Sequence, residues 1–230
     1  MKKQFFAILI SVFLVNALFS ITVSPIIENE TSFFAIPDGE TIETYRPFHG
    51  EIFENGNNEA QNVAVGSGDF STYSSAYDLD PNWLVNTKYD FTLSHDSAGN
   101  VNFIVHNIGM AEPLSYQPLI ATNQIFIGND NDSGISFHGM EMTDMVFSSG
   151  TDVLVLPDLV TTGDTFKGLV VSDFADTWNL SGIIEFTTPE GGTLAHFSSF
   201  KFYGAVPEPS AYPLLLGLYA ILLVISSRKR

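Results

Sequence analysis

The chain has 230 residues and no cysteine, which excludes disulfides, thiol catalysis and thiolate metal sites. Its formal net charge is −17, a balance that repels phosphate backbones, excludes nucleic acid as a plausible partner and leaves cations or neutral polymers. Hydrophobic residues make up 45% of the chain, so we expect a folded domain with a sizeable core. The simplest role for the charge is solubility.

Residues 1–24 have the pattern of a cleavable secretory signal peptide. Two lysines precede an apolar run over residues 5–19, and a positive start followed by an apolar stretch directs a chain into the Sec translocation machinery. Small residues ending at Ala17 favour cleavage there, and later sites stay open. The mature protein is therefore expected to begin within residues 18–25. A buried core helix is the competing interpretation.

Residues 25–205 have the pattern of an all-β domain outside the cytoplasm. Short runs rich in Val, Ile, Phe, Tyr and Thr alternate with Gly, Asn, Asp, Ser and Pro, and no long segment has helical periodicity. The clearest piece is residues 89–106, where two alternating runs flank a turn at 96–100 and predict a β-hairpin. Further strands are predicted at residues 61–65, 83–86, 124–128, 140–147, 152–156, 166–171, 179–186 and 194–202.

Ten short strands with one-sided patterning predict an antiparallel β-sandwich of jelly-roll or immunoglobulin-like type. No internal repeat of fixed period is present, which disfavours a propeller or a solenoid. The 20 phenylalanines mostly occupy alternating strand positions, so we expect them in the core. Residues 25–60 are less regular and acidic, and we expect one or two edge strands with long loops there.

The segment 128–134 is the most site-like stretch of the domain. Asp and Asn oxygens beside glycines suit Ca²⁺, although Met140 stands where the glutamate of an EF-hand loop would be. A solvated turn is the competing interpretation. The candidate calcium ligands are Asn129, Asp130, Asn131 and Asp132.

Other chemistry has little support in the sequence. The five histidines lack the spacings of a zinc site, and no nucleophile elbow or phosphate-binding glycine loop is present. Carboxylate pairs for glycoside cleavage are easy to draw from so many acids, which makes them uninformative. Four aromatic residues would stack on sugar rings if they were exposed, although burial is the commoner fate. They are Tyr73, Tyr77, Trp83 and Trp178.

Residues 206–230 contain three parts in a fixed order. An extended segment held by two prolines comes first, an apolar run over residues 211–225 follows, and a basic cluster that stays in the cytoplasm closes the sequence. As a helix the run would be about 22 Å long, short of the roughly 30 Å hydrocarbon core. Flanking serines and basic side chains extend the membrane segment to residues 211–227. The extended segment includes Val206, Pro207, Glu208 and Pro209, and the basic cluster is Arg228, Lys229 and Arg230.

This order of segments resembles the PEP-CTERM sorting signal of Gram-negative bacteria. In that class an exosortase, a membrane-embedded protein similar to cysteine transpeptidases, cuts near the Pro-Glu-Pro motif. The resemblance implies that Pro207, Glu208 and Pro209 are recognised by such an enzyme. It covers about 25 residues and leaves the activity of the domain open. A C-terminal membrane anchor that is never processed is the alternative.

The sequence therefore predicts an exported, non-enzymatic protein, anchored transiently in the inner membrane and then released to the cell surface or matrix. Members of the resembled class often accompany exopolysaccharide production and biofilm, which makes polysaccharide a possible partner. Two other functions stay open. A row of exposed aromatic residues would favour a calcium-dependent carbohydrate-binding module, and two carboxylates about 5–10 Å apart in a cleft would favour a polysaccharide-active enzyme.

Overall fold

The structure is a computed structural model that describes nine segments of the chain, residues 21–38, 40–55, 59–67, 73–79, 84–120, 122–131, 139–163, 165–188 and 198–205. Within these segments the protein is all-β, with fourteen strands and two helices of four residues each. The helices are α1 (Glu30–Phe33) and α2 (Ile42–Tyr45). The strands are β1 (Thr22–Val23), β2 (Phe48–Asn55), β3 (Glu59–Gly66), β4 (Ser75–Leu79), β5 (Lys88–His95), β6 (Val101–Val105), β7 (Leu114–Tyr116), β8 (Gln124–Asn131), β9 (Gly139–Ser149), β10 (Asp152–Val155), β11 (Leu159–Thr162), β12 (Thr165–Ser172), β13 (Trp178–Thr187) and β14 (Ser198–Ala205).

The strands form two antiparallel sheets. The first sheet has the order β1-β12-β8-β14-β2-β3-β4, which places β14 in its middle. The second sheet has the order β10-β9-β13-β5-β6-β7, with β11 also paired to β9. The predicted β-sandwich is confirmed at this level, because side chains from both sheets share one apolar core.

Alternation along the strands explains why the two sheets pack face to face. In the predicted hairpin, now β5 and β6, the apolar positions are buried and the residues between them are more exposed. Phe91 of β5 and Phe103 of β6 meet Phe200 of β14, with ring centroids 5.2 and 5.9 Å apart. Phe103 also packs edge-on against Phe202 at 4.8 Å. These contacts confirm the prediction that phenylalanines form the core.

A carboxylate organises the turn of this hairpin. Asp96 accepts hydrogen bonds from the backbone N–H groups of Ala98 and Asn100 at 2.9 Å each. The side-chain amides of Asn100 and Asn102 also donate to it. These hydrogen bonds, those from Asn100 first, lower the pKa of Asp96 to about 2.

A second apolar cluster covers the face of the first sheet that points away from the second sheet, which we call its outer face. Phe33 of α1 is fully buried there, and its ring contacts Phe166 at 4.8 Å and Tyr203 at 5.5 Å between centroids. Two glycines make room for it, since a Cβ at Gly168 would lie 2.6 Å from the ring and one at Gly128 2.9 Å. The segment that carries α1 and α2 is therefore packed onto the sheet.

Most of the predicted strands are confirmed, with ends that shift by a few residues. The predicted strand at 83–86 is wrong over residues 84–86, which form a turn with Asn86 at a φ of 54°. The strand predicted at 194–202 runs instead over Ser198–Ala205, and residues 194–197 lie outside the described segments. The expectation of one or two edge strands in residues 25–60 is wrong for β2, which lies inside the first sheet between β14 and β3. Four strands were not predicted from the sequence: β1, β4, β7 and β11.

Candidate functional site

The pairing of the first sheet brings both ends of the domain to one place. Thr22 pairs with Ser172, Ser172 pairs with Gln124, and Gln124 pairs with Ala205. Three neighbouring ladder steps separate Thr22 from Ala205, so their Cα atoms lie about 14 Å apart. We call this end of the sandwich, where the described domain begins at residue 21 and ends at residue 205, the exit end.

The two exits are fixed to the sheet in different ways. Ala205 is buried and ends β14, which pairs with β8 on one side and β2 on the other. Thr22 belongs to a two-residue edge strand, and its hydroxyl donates to Asp173 at 3.0 Å. The Ser24 N–H donates to the Val170 carbonyl at 2.9 Å, and Ile27 continues the pairing along β12. The C-terminal exit is therefore the more firmly held.

The second sheet contributes its own loops to the exit end. Phe48, which pairs opposite Gly204, stacks on Trp178 with ring centroids 6.2 Å apart. Trp178 in turn pairs with His95 at the start of the hairpin turn. The hairpin turn after β5 and the segment before β13 therefore lie beside the residues where the chain leaves the domain.

The outer face of the first sheet carries a cluster of charged groups. Lys201 of β14 lies 2.6 Å from the Asp130 carboxylate and 4.0 Å from that of Glu30. Glu51 of β2 lies directly opposite Lys201 in the ladder and accepts a hydrogen bond from the Tyr73 hydroxyl. We call Glu30, Glu51, Tyr73, Asp130 and Lys201 the charge cluster.

Burial decides the protonation of Glu51. The residue is 7% exposed, and removal of its carboxyl from water raises its pKa from 4.5 to about 7. Lys201 opposes this rise and Asp130 adds to it. A carboxyl with a raised pKa is typical of acid catalysts. Whether Glu51 could act as one depends on whether it lines an open depression that a substrate could enter.

An acidic depression lies beside the charge cluster, and two of the carboxylates that line it, Glu30 and Asp130, lie 4.0 and 2.6 Å from the Lys201 ammonium. This shallow depression of about 430 Å³ is lined by Glu28, Glu30 and Asp130 among others, but not by Glu51. Asp130 is engaged by Lys201. The group with the raised pKa and the open acidic surface are thus separate, and we read the cluster as a structural feature of the sheet.

The predicted calcium ligands are split between the two faces of β8. The strand continues through Asn131, so the expected loop is wrong for residues 128–131. Asn129 is fully buried between the sheets, where its amide donates to the carbonyls of Met140 and Leu159 at 2.7 and 2.9 Å. Its side-chain oxygen accepts from the Thr161 hydroxyl at 3.0 Å. Asp130 lies on the outer face with Lys201.

Asn129 and Asp130 therefore do not point at a common ion. Asn131 ends the strand, and Asp132 lies outside the described segments. Within those segments, no group of three or more His, Asp or Glu side chains could hold a metal ion. Calcium binding stays a prediction.

The aromatic residues singled out for sugar stacking are largely inside the domain. Trp178 is 4% exposed and packs in the core, and Tyr77 is half-buried against the core. Tyr73 is engaged with Glu51, and Trp83 lies outside the described segments. Among the side chains whose exposure the structure describes, the large exposed hydrophobic ones are all aliphatic. They do not form an aromatic platform for a polysaccharide.

The residues predicted to direct targeting fall outside the part of the chain that the structure describes. This applies to the apolar run at residues 5–19 and to everything from Val206 to Arg230, including Pro207, Glu208, Pro209, Arg228 and Lys229. The structure contains no helix, among the residues it describes, that is long and apolar enough to span a membrane. The described domain ends at Ala205, one residue before the predicted sorting signal.

In comparisons with known proteins, no family model matches the chain and no curated protein matches it.

Proposed function

We propose that this chain is an exported, C-terminally sorted protein of the cell surface or extracellular matrix that acts without catalysis. The observation that carries the proposal is the row from Thr22 through Ser172 and Gln124 to Ala205 at the exit end. An N-terminal signal and a C-terminal sorting segment must both be presented to one membrane. The exit end supplies both attachment points on one side of the domain.

The lengths of the connecting segments suit this arrangement. Two residues, Ser20 and Ile21, separate the apolar run at 5–19 from Thr22, and five residues separate Ala205 from the apolar run at 211–225. From Ala205 to Ala211 the chain makes six Cα–Cα steps, which span at most about 22 Å. With both apolar runs in the same bilayer, the sandwich would stand on its exit end outside the cytoplasm.

The position of β14 suits a strand that is tethered. The tail leaves from the middle of the first sheet, so a pull on it acts along β14 against hydrogen bonds to both β8 and β2. An edge strand would be held by one ladder only. The domain should therefore keep its fold while the tail is held in the membrane or drawn into a processing enzyme.

The fold also favours the earlier of the open signal-cleavage sites. Ile21 and Val23 pack against the core, and Thr22 and Val23 form β1. A mature chain that begins at residue 18 keeps these contacts, whereas one that begins at residue 25 loses them. We therefore infer that the mature chain begins no later than residue 21, a range that includes cleavage after Ala17, the site that the small residues favour.

The partners of this function are those implied by the sequence: the Sec machinery, the inner membrane and an exosortase. Polysaccharide is the proposed partner of the finished protein, and a Gram-negative bacterium is its proposed host. We also propose that the two apolar runs are helical and that the sandwich has a jelly-roll or immunoglobulin-like topology. Two observations support a non-catalytic role over the two alternatives. Trp178 is buried and Tyr77 is half-buried, and in the acidic depression Asp130 is ion-paired with Lys201 while Glu51, the carboxyl with the raised pKa, does not line it.

Substitution of the Pro-Glu-Pro motif tests the proposal. We expect the full chain, expressed in a Gram-negative host with an exosortase, to lose residues 211–230 and to leave the inner-membrane fraction. The variant Pro207→Ala/Glu208→Ala/Pro209→Ala should stay uncut in that fraction. Pro157→Ala/Asp158→Ala, a matched change on the surface between β10 and β11, should behave like the wild type. Equal release of all three chains would refute the sorting function.

A further inference from the structure

The loop between β7 and β8 displays two aliphatic side chains to solvent. Leu119 is 97% exposed and Ile120 is 41% exposed. The start of the loop contacts the hairpin turn, since the Gln117 side-chain amide donates to the Ala98 carbonyl at 3.3 Å. A leucine almost wholly in water at a fixed position costs the protein solubility and gains nothing for its core. The position of the loop in the domain and the charges around it therefore indicate which partner the Leu119 side chain meets.

This loop lies at the exit end. It leads into Gln124, which pairs opposite Ala205, and the Asn123 carbonyl accepts a hydrogen bond from the Asp173 N–H at 3.0 Å. Ile120 lines a shallow depression of about 480 Å³ together with Asp176 and the hairpin turn at 96–99. The exposed aliphatic pair therefore sits on the same end of the sandwich as the residue from which the tail departs.

The tail brings this end close to lipid. The sequence places five residues between Ala205 and the apolar run that begins at Ala211, so six Cα–Cα steps give a reach of at most about 22 Å. While residue 211 is in the membrane, the exit end cannot move farther than this from the bilayer surface. The aliphatic pair is then within reach of the interface throughout the anchored stage.

The charges around the pair select the kind of lipid. Asp96, Asp173 and Asp176 lie at the exit end, and the overall net charge is −17. These carboxylates repel anionic head groups, so a zwitterionic surface is the one that the loop can approach. Aliphatic side chains then gain by leaving water for the interfacial region.

We propose that Leu119 and Ile120 dock the exit end onto a zwitterionic phospholipid surface while the tail anchors the chain. This inference rests on the proposed function, because without the tail nothing holds the loop near the membrane. The contact fixes the orientation of the sandwich on the bilayer. It also keeps Pro207, Glu208 and Pro209 at the membrane surface, where a membrane-embedded enzyme would meet them.

The absence of native cysteine makes a direct test possible. Leu119→Cys and Leu84→Cys each introduce a single site for an environment-sensitive fluorophore in the full-length chain. Leu84 is the matched control, since it is 62% exposed and precedes Lys88 at the opposite end of the second sheet from the His95–Trp178 pair. Both labelled chains are reconstituted into vesicles of phosphatidylcholine and phosphatidylethanolamine that contain a head-group-proximal nitroxide lipid.

We expect the label at residue 119 to shift its emission to the blue and to be quenched by the nitroxide. The label at residue 84 should show neither effect. Equal responses at the two positions, or quenching at residue 119 that rises when phosphatidylglycerol is added, would overturn the docking inference. Quenching that requires co-reconstituted exosortase would assign the loop to the enzyme and would overturn it as well.

Flotation of the same vesicles separates this inference from the function on which it rests. A chain that floats with the vesicles but shows no quenching at residue 119 is anchored and not docked, which contradicts the inference alone. A chain that stays behind in the dense fraction contradicts both the anchoring and the docking.

Discussion

Replacement of Glu51 by glutamine should stabilise the domain at neutral and alkaline pH and not at acidic pH. Burial raises the pKa of Glu51 from 4.5 to about 7, so the folded state binds this proton more tightly than the unfolded state does. Ionisation of Glu51 therefore opposes folding. Its cost is absent below about pH 4.5, grows as the pH rises to about 7 and is complete above that.

The size of the effect follows from the pKa difference. A rise from 4.5 to about 7 corresponds to about 3 kcal/mol in the free energy of unfolding, with the attraction of Lys201 already included. Glutamine has a similar shape and keeps a side-chain oxygen for the Tyr73 hydroxyl. Glu51→Gln should therefore recover most of the 3 kcal/mol at pH 8 and little at pH 4.5.

Urea unfolding of the full chain, followed by far-ultraviolet circular dichroism from pH 4.5 to 8, measures this difference. The exposed Glu112→Gln is the matched control and should change stability by only a small amount. A stability gain for Glu51→Gln that does not vary with pH would refute the claim that burial of an ionisable carboxyl causes it. A loss of stability at pH 8 would show that the pair with Lys201 outweighs desolvation.

Three further predictions concern the packing and the turns of the domain. Phe33→Ala should cost about 3–5 kcal/mol of stability. Gly168→Ala should cost less in the Phe33→Ala background than alone, because its new methyl group would lie 2.6 Å from the Phe33 ring. Urea unfolding of the single and double variants checks this, and additive costs would contradict it. Asn129→Leu should cost about 1–3 kcal/mol for each buried group left without its partner, again by urea unfolding, and unchanged stability would argue against its role as a clamp between the sheets. Asp96→Ala should lower the Tm above about pH 4, and the difference should fade as the pH drops toward 2, since hydrogen bonds hold the pKa of the folded carboxyl near 2. A Tm difference that is the same at pH 2 and pH 7 would contradict that account.

The parts of the fold that sequence predicts are those set by local alternation. The hairpin of β5 and β6 has a strict period of two and a Gly-bearing turn, so its faces can be read directly from the residues. The outward positions of β2 are the polar His49 and Glu51, which are nevertheless buried beside Tyr73. Its inward face is interrupted by Gly50, where a Cβ would lie 2.2 Å from the Phe202 ring, so the residues do not display the apolar alternation that marks a strand inside a sheet.

The candidate sites depend on contacts that sequence does not specify. Asn129 and Asp130 looked like neighbouring ligands in a loop, but β12 and β14 pair with this stretch and turn the two side chains to opposite faces. Lys201 and Asp130 are 71 residues apart along the chain. The exit end joins residues 22 and 205 through two intermediate strands, and long-range pairing of this kind leaves no local pattern in the residues involved.

The intact mass of the native protein, measured together with the cell fraction from which it is recovered, tests the central claim most directly. The account predicts a chain that begins at residue 18, or at the latest by residue 21, that lacks residues 211–230 and that is found outside the cytoplasm. A chain with the mass of residues 1–230, recovered in soluble form from the cytosol, would contradict it.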